Sequence, residues 1–439
     1  MEPWSRSAAD LGRAIGAGTV DPVALCEAML ERIEGHEHGA RVYARLMPAR
    51  ARAEARAAAA RARGGARRGP LDGVPVSWKD LFDTAGTGTE AGSRLLAGRV
   101  PEADAEVVAR GARAGWVALG KTHLSELAFS GLGLNPSTAT PPGAHDAGLL
   151  PGGSSSGAAA SVAWGLAPVA VGSDTGGSIR LPAAWNDLVG FKPGWGRVPG
   201  EGAVPLCETL DCAGPLARTV EDCALVHAVL AGEKPTALEG ASLEGARIMV
   251  LEGMPFEGIE EAPAAAFEAA LERLAAAGAE VVRRAPPQPA EADAMSGTIY
   301  AGEAWAIWGD LIERNPGVMF EQIEARMRGG EGLSAREHIG AWRRLRALRA
   351  GWREETAGFD AVATPTSPIL PPRAEGLEGE AYRRANLLAL RNTRIGNLLD
   401  CCGVSLPAGA ASCGLQMLAP GGAEGRLLRL AAAAKAALG

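Results

Sequence analysis

Short apolar runs that read as strands alternate with alanine-rich helical stretches along most of this 439-residue chain. A strand followed by a helix and then another strand must lie in a sheet with the helix packed across it. The alternation therefore predicts one large α/β domain, 1–439, with a central, mostly parallel or mixed twisted sheet covered by helices on both faces. Hydrophobic residues make up 47% of the chain and charged ones 22%, a balance that supports a sizeable core. Ser7 caps a helix over 8–15 that Gly16 and Gly18 stop, and Asp21-Pro22 starts the next, with Val23, Cys26, Leu30 and Ile33 on one face. Strands are expected at Val74 to Lys79, 116–119 and 169–171, and 247–251 and 280–282 flank a helix over 263–276 as a βαβ unit.

Two glycine-serine turns interrupt this pattern. Pro151-Gly152-Gly153-Ser154-Ser155-Ser156-Gly157 runs straight into a small-residue helix, 158–164, and Asp174-Thr175-Gly176-Gly177-Ser178-Ile179-Arg180 follows the 169–171 strand. Glycine-serine runs are ordinarily linkers, but these sit at a helix start and a strand end. Glycine lets successive N–H groups converge on one point, which makes an anion receptor. A serine hydroxyl needs a base to take its proton and a receptor for the charge that develops on a carbonyl oxygen. Lys79, at the end of Val74-Pro75-Val76-Ser77-Trp78-Lys79, is the candidate base, because strand carboxyl ends are where α/β sites are built.

Several function classes are excluded by composition. A formal net charge of −7 argues against nucleic acid as a partner. The run containing Arg50, Arg52, Arg56, Arg61, Arg63, Arg67 and Arg68 reads as a helix with its arginines on the wet face. Seven cysteines without a CxxC pair suit a reducing compartment, and no histidine-cysteine spacing predicts a metal. The 158–171 stretch is too short and interrupted to span a membrane, so a cytoplasmic protein is expected. Lys121 and Lys192 read as surface or structural lysines, since neither is tied to a serine loop.

With both serine turns and Lys79 in view, the chain resembles the amidase signature family. Gly190-Phe191-Lys192-Pro193, the segment from Asp211 to Asp222, Thr364-Pro365-Thr366-Ser367-Pro368, Asn397 and Ser405-Leu406-Pro407 carry the likeness further. It is dense over 69–222, the expected catalytic core segment, and returns at 359–419; 232–356 is the segment in which such enzymes differ in substrate. The resemblance implies an amidohydrolase with Ser178 as nucleophile, Ser154 as a bridging serine after a cis peptide, and Lys79 as base. It implies an oxyanion hole from the N–H groups of Thr175, Gly176, Gly177 and Ser178, with Ser155, Asp174 and Arg180 in support and no cofactor. Asp174 and Arg180 are expected to brace the loop rather than bind substrate. Ser156 stands where many members have glycine and others serine.

Phe129, Ser130 and Gly131, with Trp305 and Trp308, are the candidates for substrate contact. The two tryptophans lie one helical turn apart, which favours a core stripe; facing the pocket, they would suit an apolar or aryl acyl group. The expected partner is a small-molecule amide, and a homodimer stays open. Three other readings remain: the glutaminase subunit of a tRNA-dependent amidotransferase, an amidase for urea derivatives or malonamides, and a catalytically silent binding protein.

Overall fold

The computed structural model describes residues 2–439. Eleven strands form one sheet: β1 (Tyr43–Leu46), β2 (Pro75–Lys79), β3 (Val117–Thr122), β4 (Val169–Ser173), β5 (Val189–Lys192), β6 (Ala213–Ala217), β7 (Arg247–Leu251), β8 (Glu280–Arg284), β9 (Ala361–Pro365), β10 (Cys401–Pro407) and β11 (Gly414–Pro420). Their order across the sheet is β1-β3-β2-β4-β6-β5-β10-β11-β9-β7-β8. Every residue of β2, β3, β4, β5, β6 and β9 is buried. Because side chains alternate across a sheet, burial of both sets means that both faces are covered.

The sheet is mixed, one of the two arrangements expected. Parallel pairing occurs where β2 lies between β3 and β4 and where β7 lies between β8 and β9. Between them the run β4-β6-β5-β10-β11-β9 is antiparallel throughout. Crossover helices give parallel neighbours, whereas β10 and β11 are joined by the short turn 408–413, which permits only an antiparallel pair. The predicted βαβ unit is present as β7, the helix Glu261–Ala276 and β8.

Local signals set the ends of the early elements. The Ser7 hydroxyl accepts from Asp10 N–H at the start of Ala8–Gly16, and the Asp21 carboxylate accepts from Val23 and Ala24 at the start of Pro22–Gly35. The arginine-rich helix, Pro48–Arg63, buries Ala51, Ala55, Ala58 and Ala59, but its arginines are not simply solvated. Arg50 grips Asp104 through two 2.8 Å bonds, and Arg61 grips Asp72 at 2.6 and 2.9 Å. These bidentate pairs tie the helix to segments around β2. All seven cysteines are reduced and buried.

Phe267, fully buried on Glu261–Ala276, meets Phe256 edge to face with centroids 5.6 Å apart. Phe267→Ala is expected to cost about 3–5 kcal/mol of stability, read from a chemical denaturation midpoint.

Candidate active site

Lys79 and Ser173 are the last residues of β2 and β4, which pair in parallel, so the two strands deliver them side by side. The loop that precedes the helix Ser156–Ala163 arrives at the same place. Lys79 Nζ donates to Ser154 Oγ at 2.7 Å, Ser173 Oγ at 2.8 Å and Ser155 Oγ at 3.1 Å. Three acceptors match the three protons of an ammonium. The side chain is fully buried, and burial lowers its pKa to about 7 although Asp211 and Asp174 pull the other way. A neutral amine keeps two donors and gains a lone pair, which allows it to take a proton from one of these hydroxyls.

The two serine loops are fastened to each other. Ser155 N–H donates to Ser178 O at 3.2 Å, and Ser155 Oγ donates to Ser173 O at 3.0 Å. The Gly153–Ser154 peptide is cis, and Ser154 O accepts from Ser125 N–H. No hydrogen bond joins Ser178 Oγ to Ser154 among the described residues, so the two hydroxyls share the site without touching.

Asp174 and Arg180 form the pin of the second loop. Both are fully buried, with Nη2 to Oδ1 at 2.8 Å and Nε to Oδ2 at 3.0 Å. Burial alone would raise the Asp174 carboxyl; the Arg180 guanidinium outweighs it and holds the group far below the usual carboxylate range. Asn397 bridges the pair, donating to Asp174 and accepting from Arg180 at 2.6 Å, while Arg180 also reaches Gln416 and the Thr393 carbonyl. Asp174 Oδ1 further accepts the Gly177 N–H at 2.9 Å. That N–H braces the loop, which corrects the expected set of oxyanion donors: Thr175, Gly176 and Ser178 are the ones left without a protein acceptor among the described residues. Gly177 itself is obligatory, since its φ is +132° and a Cβ would sit 1.9 Å from Thr393 Oγ1.

Next to Ser178 a small space, about 20 Å³, is walled by Gly176, Ser130, Phe129, Tyr300, Arg326 and Arg394. The last four of these also line a cavity of about 380 Å³ with Tyr382, Asn386 and Arg383. Phe129 and Ser130 therefore stand where substrate contact was expected. Gly131 does not: its N–H donates to Asn386 Oδ1 and its carbonyl accepts from Gly153 N–H, so it shapes the wall from behind. Trp305 and Trp308 follow the core stripe that their spacing favoured, not the substrate contact left open beside it, since neither lines the cavity. Both pack on the hydrophobic core, Trp308 donating to Pro205 O and Trp305 lying under Arg328. The wall keeps three aromatic rings, Phe129, Tyr300 and Tyr382, and sets arginines beside them. Arg326 lies 4.2 Å over the Phe129 ring, and burial, with Arg394 beside it, lowers its pKa to about 10. Arg394 is held by Asp293 at 2.7 Å.

Sequence reasoning missed Ser173, although its strand-end position beside Lys79 was readable once β2 and β4 were paired. Lys121 and Lys192 are fully buried, not on the surface; Lys121 donates to Phe82 O and Thr89 and faces Asp80.

The family model for amidases matches residues 24–428. This chain belongs to the amidase signature family. Such enzymes are amidohydrolases acting on C–N amide bonds, and the mixed-sheet fold is theirs. The chain is 37% identical to the 2-amino-5-chloromuconic acid deaminase of Comamonas testosteroni, over 92% of this chain and 91% of that protein. It is 36% identical to one subunit of the glutamyl-tRNA(Gln) amidotransferase of Chloroflexus aggregans, over 81% and 80%. A crystal structure of an amidase superposes with a TM-score of 0.90 at 33% identity, covering 99% of this chain and 100% of that one.

Removing Arg180 would strand the Asp174 charge in the interior. Arg180→Met is expected to lose about 3–5 kcal/mol of stability, seen as a lower denaturation midpoint, whereas a shift under about 1 kcal/mol would mean that the pair is not what pins the loop.

Proposed function

We propose that this amidohydrolase cleaves the amide of a small acid bearing a further anionic group, through an acyl-enzyme on Ser178. The observation that carries the chemistry is a buried lysine amine, near neutral pKa, bonded to three hydroxyls at the foot of the serine loops. Ser178 Oγ attacks the amide carbon while its proton passes through Ser154 to neutral Lys79. The N–H groups of Thr175, Gly176 and Ser178 receive the oxyanion. The proton returns along the same route to the nitrogen as the C–N bond breaks, releasing ammonia or amine. Water then attacks the ester by the same relay and frees the acid. Substrate binding has to draw Ser178 and Ser154 together, as catalytic hydrogen bonds commonly tighten only in the complex. No step uses a metal or cofactor.

Arg326 and Arg394 support the substrate class. Both border the space beside Ser178 and the larger cavity, so a carboxylate on the acyl group could meet them while its amide lies at the serine. The muconic acid named for the Comamonas relative matches the anionic part of this substrate class through its carboxylates, although its nitrogen is an amine and not an amide. Glutamine also carries a carboxylate, and likeness to the amidotransferase subunits supports the second reading, a glutaminase serving a partner chain. Activity of the isolated chain on acidic amides other than glutamine separates the two.

Ser178→Ala should remove turnover and covalent acylation with the fold intact; a well-folded variant with parental activity would refute the nucleophile. The free enzyme needs neutral Lys79, so kcat/KM should rise with pH and level off above about 7, and a flat profile with rate-limiting chemistry contradicts a titrating base. Arg394→Ala should weaken use of a carboxylate-bearing amide by about 10–100-fold while sparing its neutral analogue; equal losses on both would contradict an anion-binding wall.

A further inference from the structure

Asp211 is a carboxylate that the proposed mechanism leaves unused. It stands just before β6, where Asp174 and Cys212 exchange backbone hydrogen bonds and carry the β4–β6 pairing into the serine loop. One of its oxygens accepts from the Thr175 hydroxyl at 2.5 Å, and the other accepts the N–H groups of Leu206 and Cys207 at 2.9 and 3.1 Å. Tyr300 OH holds the Thr175 carbonyl at 3.1 Å. Thr175 is thus clamped at both ends, and it begins the run of N–H groups beside Ser178. With Ser173 and Thr175, Asp211 also lines a narrow space of about 30 Å³, placing it on the side of the site where Ser173 meets Lys79.

The charges around it single it out. Lys79 is influenced by two carboxylates, Asp211 first and Asp174 second. Asp174 is matched by Arg180 in a fully buried pair, so the unmatched negative charge acting on the amine is that of Asp211. The other titratable groups on this side are neutral or turned away. Burial pushes the Cys207 thiol and the Tyr300 phenol well up, and Glu303 is engaged by Thr209. Burial raises Asp211 itself to about 6, against the opposing pull of its Thr175, Leu206 and Cys207 hydrogen bonds and of Lys79.

We propose that Asp211 is a positioning residue for the reaction: it fixes Thr175 and the neighbouring N–H donors, and it places a negative charge on the Lys79 side of the site. The proposal rests on the serine–lysine reading above. Its sign is definite. An ionised Asp211 favours the ammonium form, so removing the charge lowers the Lys79 pKa and moves the rising limb of the pH profile to lower pH.

The test measures kcat, KM and the pH profile of Asp211→Asn and Thr175→Val beside the parent enzyme. In D211N the rising limb of kcat/KM should move to lower pH, with kcat reduced and KM nearly unchanged. A folded D211N whose limb stays in place overturns the proposal. Asparagine can keep its Oδ1 on the Leu206 and Cys207 N–H groups only by turning its NH2 onto Thr175 Oγ1, which must then accept instead of donate, so D211N has its own folding risk, and T175V then decides. T175V keeps the carboxylate side chain and loses the hydroxyl that holds it: kcat should fall on the order of 10-fold, and a kcat within about twofold of the parent overturns the proposal. Acylation of Ser178 in the parent, read by intact mass, distinguishes failure of this inference from failure of the underlying mechanism.

Discussion

The site depends on the enclosure of one lysine amine. Lys79 has no exposed surface, and the strand that carries it is buried along its length, so the amine has only protein groups to bond with. Three hydroxyls supply them, two from the first serine loop and one from the end of β4. An ammonium so enclosed is costly, which brings the neutral amine within reach near pH 7. A carboxylate in direct contact would undo that effect. The acids that act on Lys79 are held back from it: Asp174 is engaged by Arg180, and Asp211 by Thr175 and two N–H groups.

That arrangement explains why so much of the sheet is needed to build a small site. The Asp174–Arg180 pair is locked by Asn397 and Thr393, from the helix Gly379–Leu398, and by Gln416 on β11. Residues distant in sequence thus hold the loop that carries Ser178. β10 and β11 lie in the antiparallel centre of the sheet, between the strands bearing the catalytic loops and the β7–β9 layer.

Much of this was legible in the residues. Gly-Ser turns at strand and helix ends, with Lys79 at another strand end, point to a hydroxyl–lysine site, and the family resemblance singles out Ser154, Ser155 and Ser178 within it. Local motifs reveal what the backbone does nearby, so the caps at Ser7 and Asp21 and the βαβ unit also read correctly. Sequence left the sheet open between mostly parallel and mixed, because strand direction is decided by which distant strands pair. The arginines of the pocket wall were missed for the same reason. Trp305 and Trp308 are conspicuous in sequence, yet helical packing turns them to the core, while Arg326 and Arg394 look like ordinary surface arginines until two separate helices bring them to one cavity.

The central claim is that the Lys79 amine is neutral at the pH of catalysis. The chain has five lysines, Lys79, Lys121, Lys192, Lys234 and Lys435, few enough for each side-chain signal to be followed by NMR after lysine-selective 13C labelling, with Lys79 assigned by its substitution. The account predicts that the Lys79 Cε resonance titrates with a midpoint near 7, well below an ordinary solvated lysine near 10.4. A Lys79 signal that stays in its protonated position up to about pH 10 would contradict it.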